Sequence, residues 1–298
     1  MRNSEPIYAP RTWATADIEM KGLADSLGVT GYEKLEDRAG PNGFPYKIPG
    51  NFCKVILKTR MQNDFKIMMN IRQLKKTIGT EQEYYLLPDK VVELPGSVVF
   101  MYPLCERDMV DFVQNHKWTE NFRNAVFSKL MDAVEFLHDK DFVHRDIKLE
   151  NICMRGYDPV IVDIDYASPA SLIHFRGTKT YMPRKINIKT LMQARKDVST
   201  SDKTKYLDTY ALGKTLAFML CVEHQRHKEI GIIKNIWSKW MKTEQTSLRS
   251  ISWQPDDLIV YTNWWKVVLF MCAHNEQAIY DVKMKLYSVK DIKIELKL

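Results

Sequence analysis

The feature that most restricts this chain is the stretch from Phe142 to Ala167, where charged residues stand between two apolar elements. Ahead of it, Phe122, Val126, Phe127, Leu130, Met131, Val134 and Leu137 recur at three- and four-residue spacing, which predicts a long amphipathic helix ending just before Asp139–Asp141. That helix delivers the chain into a loop carrying Asp146, Lys148 and Asn151, and a short apolar strand, Val160–Val162, then presents Asp163. Two carboxylates, an ammonium and an amide converging on one spot suit chemistry on a phosphate. Asp163 and Asn151 offer hard oxygen ligands to Mg2+. Asp146 can accept a proton from a hydroxyl, and Lys148 can neutralise charge on a transferring phosphoryl group. Any one of these residues alone is ordinary surface chemistry; their joint spacing discriminates.

The character of the chain changes along its length. Residues 1–31 read as a polar N-terminal extension, with a short helix around Asp17–Ser26 and turn-prone Gly28 and Gly31 at the end. Residues 32–103 are strand-rich: Phe52–Leu57, Val91–Leu94 and Val98–Tyr102 are separated by turns such as Pro49-Gly50-Asn51 and Pro95-Gly96, with a helical segment over Asn63–Thr77. Residues 104–298 are helical, with further helices near Leu207–Cys221 and Leu258–Cys272. Strands first and helices afterwards predict an α+β fold with segregated lobes. The closing segment Asp291–Leu298 alternates with period two and carries no assignment.

Charge and cysteine usage narrow the partners. The net charge of +7 is a mild excess carried by short runs, which reads as a well-solvated Lys-rich surface. Arg226–Lys242 mixes Lys with Ile and Trp as an amphipathic helix should, and no motif supports nucleic acid as a partner. Trp237, Trp240, Trp253, Trp264 and Trp265 are expected to pack the C-terminal helices. The cysteines are odd in number, scattered and never in a CxxC pair, which excludes a disulfide framework or zinc site and fits a reducing compartment, cytoplasmic or nuclear. No apolar stretch approaches the length of a membrane span, so no membrane partner is expected.

The run His144-Arg145-Asp146-Ile147-Lys148-Leu149-Glu150-Asn151 resembles the HRDxKxxN catalytic loop of protein kinases, and Asp163-Ile164-Asp165 resembles their DFG metal-binding motif. The resemblance implies a bilobal fold, ATP and Mg2+ as cofactors and a protein substrate. It makes Asp146 the catalytic base and Lys148 the phosphate-contacting lysine. Asn151 and Asp163 become the metal ligands, and His144 and Arg145 organise the loop. Lysine two residues after the Asp is the serine/threonine-type pattern and counts against a small-molecule kinase. Gly177–Pro183 resembles the segment that closes the activation loop and seats the substrate. Asp208–Gly213 resembles the helix whose aspartate braces the catalytic loop. The short, basic, divergent chain is similar to kinases of large DNA viruses or intracellular bacteria.

Two alignments of the nucleotide-binding half stay open. In the first, Tyr32–Leu35 begins the first strand, and Gly40 and Gly43 belong to a worn glycine-rich loop. Pro49-Gly50-Asn51 then turns a hairpin, and Phe52–Leu57 is the third strand, closed by Lys58 as the phosphate-contacting lysine. In the second, Gly50–Val55 is the glycine loop, the lysine position falls at Asn70 and Glu83 becomes the helix acid, which cripples catalysis. In both, the adenine sits near Tyr102–Leu104, with Phe100 behind it. Departures from the family pattern bear on regulation. Asp165 replaces the glycine of DFG and is expected to face solvent, an extra carboxylate beside the metal being the other reading. Arg184 replaces the glutamate of APE, which predicts a different brace. The activation segment Asp163–Pro183, with Ser168 and Ser171 in it, is short enough to predict activity without phosphorylation. An active serine/threonine kinase, a pseudokinase scaffold and a nucleotide-dependent transferase of another kind are the readings to separate.

Overall fold

Thr12 starts the first described helix by accepting a hydrogen bond from Thr15 N at 3.3 Å, and Gly28 ends it in the left-handed conformation (φ 66°) that a glycine adopts without penalty. Between them runs α1 (Trp13–Leu27), described here from a computed structural model covering residues 12–36, 43–57, 71–79, 83–116, 118–173, 177–183, 191, 193–226 and 262–298. The residues expected to be an extension therefore contain a longer helix than the sequence pattern indicated. Ala16, Met20, Leu23 and Ala24 form its buried stripe.

The chain divides into two compact units. The first takes the chain up to Lys76 together with Leu86–Cys105; the second takes Thr77–Tyr85 and everything from Glu106. The first holds one antiparallel five-stranded sheet, from strands β1 (Glu33–Lys34), β2 (Phe44–Ile48), β3 (Asn51–Leu57), β4 (Lys90–Glu93) and β5 (Ser97–Pro103), in the order β1-β2-β3-β5-β4. Phe44 opposes Val55 and Tyr46 opposes Cys53, so the period-two sets Phe44/Tyr46/Ile48 and Cys53/Val55/Leu57 share one face. The stripe of α1 packs there, with Val99 and Met101 of β5 completing the core. Polar bonds set the helix angle: Tyr46 Oη donates to Asp17 at 2.8 Å, Lys34 pairs with Asp17, and Ser97 donates to Glu19 at 3.1 Å. Burial pushes the Cys53 thiol up to about 11, so it packs as an apolar group. A helix, α2, is described over 71–78; the remainder of the expected helix from Asn63 lies outside the described residues.

This sheet order corresponds to the first of the two alignments. Asn51–Leu57 is third in the chain and is hydrogen-bonded along its length to β2 and β5, with Pro49 and Gly50 (φ 79°) turning the hairpin before it.

In the second unit, α3 (Met109–Asn115) and α4 (Glu120–Asp139) precede β7 (Phe142–Val143). Strand β6 (Arg107–Asp108) joins the hairpin of β8 (Ile152–Arg155) and β9 (Asp158–Ile161), and β10 (Ser168–Pro169) pairs back onto β7. α4 buries Val126, Phe127, Leu130, Met131, Val134 and Leu137, the periodic set of the sequence except the half-buried Phe122. α5 (Thr200–Arg226) and α6 (Thr262–Leu269) follow; α6 continues through a π-turn (Phe270–His274) into α7 (Asn275–Ala278). Gly213 of α5 lets the π-turn approach closely, since a Cβ there would meet Met271 Cβ and Cys272 Sγ at 2.7 Å. Trp264 is buried, edge-on to Phe127, and donates to Asn124 at 2.6 Å, so that tryptophan is a packing residue; Trp237, Trp240, Trp253 and most of Arg226–Lys242 lie outside the described residues.

The unassigned C-terminus is helical, α8 (Val289–Leu296), because Ser288 and Asp291 form a reciprocal capping box that outweighs the period-two pattern. Lys293 ties α8 to Asp132 and Glu135 of α4 at 2.5 and 2.8 Å. Among the described residues no helix is long and apolar enough to cross a membrane.

Removing the centre of the α1 stripe tests its place in the core. Met20→Ala is expected to cost about 2–5 kcal/mol by urea unfolding, while Ile18→Ala, at a position 73% exposed, should stay within about 0.5 kcal/mol.

Candidate active site

The loop after α4 is shaped by one buried carboxylate. Asp208 of α5 accepts from the backbone N–H of His144 at 2.6 Å and of Arg145 at 2.8 Å, and His138 Nε2 lies 3.4 Å from it. Burial by itself would raise this carboxyl. The hydrogen bond and charge of His138, with the His144 imidazole and N–H, outweigh it and hold Asp208 below the usual carboxylate range. These two bonds secure Arg145 in a left-handed conformation (φ 72°), which costs a non-glycine residue about 1–2 kcal/mol.

Asp146, buried at 6% exposure, is held on every side. Its Oδ2 accepts from Asn151 Nδ2 at 3.1 Å and pairs with Lys148 Nζ at 3.0 Å. Its Oδ1 accepts from both the backbone N–H and the hydroxyl of Thr178, each at 2.8 Å. Lys148 Nζ also donates to Thr178 Oγ1 at 3.0 Å. Asn151 Nδ2 donates a second bond to the Asp146 carbonyl at 2.8 Å, so the amide turns its Oδ1 the other way, as a hard-metal ligand requires. The structure brings Asp146, Lys148 and Asn151 into direct contact.

Thr178 reaches Asp146 because Gly177 precedes it. Gly177 has φ 133°, and a Cβ there would lie 2.5 Å from the carbonyl oxygen of Arg145. Only glycine allows the two backbones to approach this closely. Tyr181 adds a further tie, accepting from Leu149 N at 3.4 Å and donating to Glu150 at 3.1 Å. Beside Asp146 is a cavity of about 20 Å³ lined by Arg145, Thr178, Tyr181, Thr204 and Asp208, large enough for one water.

Asp163 is placed by the residue before it. The N–H of Val162 donates to the Asn151 carbonyl at 2.9 Å, and its carbonyl accepts from His144 Nε2 at 3.1 Å. The same ring accepts from Asp146 N through Nδ1 at 3.3 Å, which fixes the tautomer. Asp163 itself is left-handed (φ 60°) and reverses the chain into the tight turn Ile164–Tyr166. That reversal carries Ile164 and Asp165 inward. Asp165 is 1% exposed, a correction to the expectation that it faces solvent.

The remaining expected residues belong to the first unit or lie outside the described residues. Gly43 opens β2 where a Cβ would meet Val55 O at 3.0 Å, so its glycine relieves crowding against β3. Tyr102 is buried in β5 opposite Phe52, and Leu104 follows the strand at 38% exposure. Gly40, Lys58 and Arg184 are outside the described residues. Elsewhere in the second unit, Arg195 donates to the carbonyls of Ala278 and Met284 at 2.7 and 2.9 Å and pairs with Asp197.

Two contributors were not named as site residues from sequence, although Thr178 lies in the Gly177–Pro183 run. Thr178 is prominent only once its hydroxyl is seen on Asp146. Tyr85 bridges to Ile161 of β9, donates to the Ala133 carbonyl at 2.7 Å and stacks on His144 with ring centroids 6.4 Å apart. Its neighbour Tyr84 accepts from Ile161 N at 2.8 Å, so the segment splints the strand that delivers Asp163.

Gly177→Ala is expected to lose about 1–3 kcal/mol in urea unfolding from backbone strain. Asp208→Asn can accept only one of the two N–H bonds and should lose about 1.5–3 kcal/mol at pH 7. Because the Asp208 pKa is depressed, its contribution is fully present above the ordinary carboxylate value of about 3.9 and disappears as pH falls through the lower folded value. Unfolding midpoints between pH 2 and 7 should therefore fall less steeply on the acid side for the Asn variant than for the natural chain.

Comparison with known proteins agrees with this geometry. The family described as protein kinase domain matches residues 53–277. Serine/threonine-protein kinase pim-2 of Danio rerio is 35% identical over 100 residues, 30% of this chain and 32% of that protein. Serine/threonine-protein kinase 33 of Mus musculus is 23% identical over 166 residues, 53% of this chain and 33% of that protein. Testis-specific serine/threonine-protein kinase 4 of Homo sapiens is 26% identical over 117 residues, 38% and 36% of the two chains. The chain spans about a third of the length of these relatives. With the family match running from β3 into α7, and the loop that carries Asp146 inside it, this chain belongs to the protein kinase domain family.

Proposed function

We propose that this protein is an ATP- and Mg2+-dependent serine/threonine protein kinase. The observation that carries the reading is the environment of Asp146, with Lys148, Asn151 and Thr178 all within hydrogen-bond distance of its carboxylate. Asp146 accepts the proton of an acceptor hydroxyl as the hydroxyl oxygen bonds to the γ-phosphorus, and the bond to the β–γ bridging oxygen breaks, leaving ADP. The bonds from Asn151 and Thr178 fix the carboxylate orientation before substrate arrives. Lys148, 3.0 Å from Asp146, supplies positive charge where the phosphoryl oxygens pass. Asn151 Oδ1 and the Asp163 carboxylate would be the oxygen donors for Mg2+, which when bound would neutralise charge on the nucleotide phosphates. Lys58, directly after β3, is the residue proposed to contact the α- and β-phosphates, with Gly40 and Gly43 flanking the loop that covers them and Tyr102–Leu104 beside the adenine. The serine/threonine class is supported by Lys148 and by the names of the relatives.

A catalytically weak scaffold is the second reading, and one observation favours it: α2 over 71–78 contains no Asp or Glu to pair with Lys58. Transfer of ³²P from ATP to myelin basic protein separates the two. The kinase reading expects transfer that requires Mg2+ and that falls by about 10²–10⁴-fold in Asp146→Asn, the usual worth of a positioned general base. Equal counts from the natural chain and Asp146→Asn would leave the scaffold.

A further inference from the structure

Arg145 belongs to the loop, yet the proposed chemistry leaves its side chain without a task. The guanidinium extends from Asp208-held backbone into the segment that follows Asp163. Nε donates to Ser168 Oγ at 2.6 Å, and Nη2 donates to the carbonyls of Leu172 at 2.6 Å and Pro169 at 3.3 Å. Ser168 is 1% exposed and stands opposite Val143 in the β7–β10 pair. The next turn is secured as well: Ala170 N donates to the Asp141 carbonyl at 2.8 Å, and Thr204 Oγ1 donates to the Ala170 carbonyl at 2.5 Å. Burial lowers the arginine pKa and the Asp208 charge raises it, but a guanidinium remains cationic at neutral pH.

In general, a segment beside an active site becomes ordered when an added phosphate supplies acceptor oxygens to a waiting arginine. Here an alcohol and two peptide carbonyls from the segment itself already occupy the guanidinium. The acceptors come from one short stretch, with Ser168 buried and Ser168 and Pro169 placed by the β7–β10 pairing. We propose that Ser168 is a positioning residue whose hydroxyl, through Arg145, latches the segment from Asp163 to Leu172 in its working geometry without a phosphate. Ser168 is then a structural acceptor and not a site of modification, because its oxygen is buried out of reach of a modifying enzyme. Ser171, which is exposed, has no part in the latch. The link from latch to activity rests on the kinase reading; the latch itself does not.

Hydrogen–deuterium exchange on the full chain, treated with a broad-specificity phosphatase and shown by intact mass to carry no phosphate, tests it. Peptides covering 163–173 are compared with a control peptide in β5 for the natural chain, Ser168→Ala and Arg145→Lys. The proposal expects protection of 163–173 in the phosphate-free natural chain. Both variants should exchange about 10- to 100-fold faster there, the worth of one hydrogen bond to a charged group, with β5 unchanged. The phosphate-free natural chain should also phosphorylate myelin basic protein, and Ser168→Ala should lower kcat with little effect on the KM for ATP. The proposal is overturned if 163–173 exchanges freely until the chain is phosphorylated. It is equally overturned if β5 stays protected and both variants exchange like the natural chain. Protection without transfer in either phosphorylation state would uphold the latch and sink the kinase reading instead. Arg145→Lys keeps the test open if Ser168→Ala fails to fold, since lysine retains the charge but cannot span the three acceptors.

Discussion

Everything around the active loop depends on Asp208 accepting two consecutive backbone N–H groups. A loop that must carry Asp146, Lys148 and Asn151 in close contact cannot be a regular helix or strand, so its backbone donors lack ladder partners. A single buried carboxylate from α5 satisfies the donors of His144 and Arg145 together. It also stabilises the left-handed turn at Arg145 that lets the next residue, Asp146, turn toward Asn151. The interaction is charge-assisted and sequestered from solvent, which makes it stronger than the neutral bonds around it.

From that point three strands of support spread outward. His144 joins Asp146 N to the Val162 carbonyl, so the metal-ligand candidate Asp163 is placed by the same ring that spaces the catalytic loop. Gly177 permits Thr178 to close on Asp146. Arg145 gathers Ser168, Pro169 and Leu172. Left-handed backbone at Asp141, Arg145 and Asp163 marks the corners of this arrangement, and such strain persists only where neighbouring contacts overdetermine it. The site is thus preorganised by hydrogen bonds to backbone more than by contacts among its charged side chains.

The departures from the family pattern acquire physical content in this frame. Asp165, in the glycine position after Asp163, is carried into the interior by the reversal at Asp163. A buried carboxylate there makes a peptide flip costlier than glycine would, since the group would have to be carried through a new environment. Arg195 braces the helices beyond the segment through backbone carbonyls.

Much of this was legible from local pattern. The spacing of Phe122 to Leu137 announces α4, and the run His144–Asn151 with Asp163 names the site residues, because helical periodicity and a short functional loop are both encoded by near neighbours. The alternation in Asp291–Leu298 left that segment unassigned, since a capping box can outweigh a two-residue period in so short a segment. What only the tertiary structure decided are the long-range partners. Tyr85 on β9 and His144, Ser168 under Arg145, Asp165 turned inward and α1 on the sheet all join residues far apart in sequence or depend on which way the backbone turns. Sequence determined which groups this chain can bring to phosphate chemistry. Folding decided which of them are held, because a hydrogen bond forms between positions in space and leaves no period in the chain.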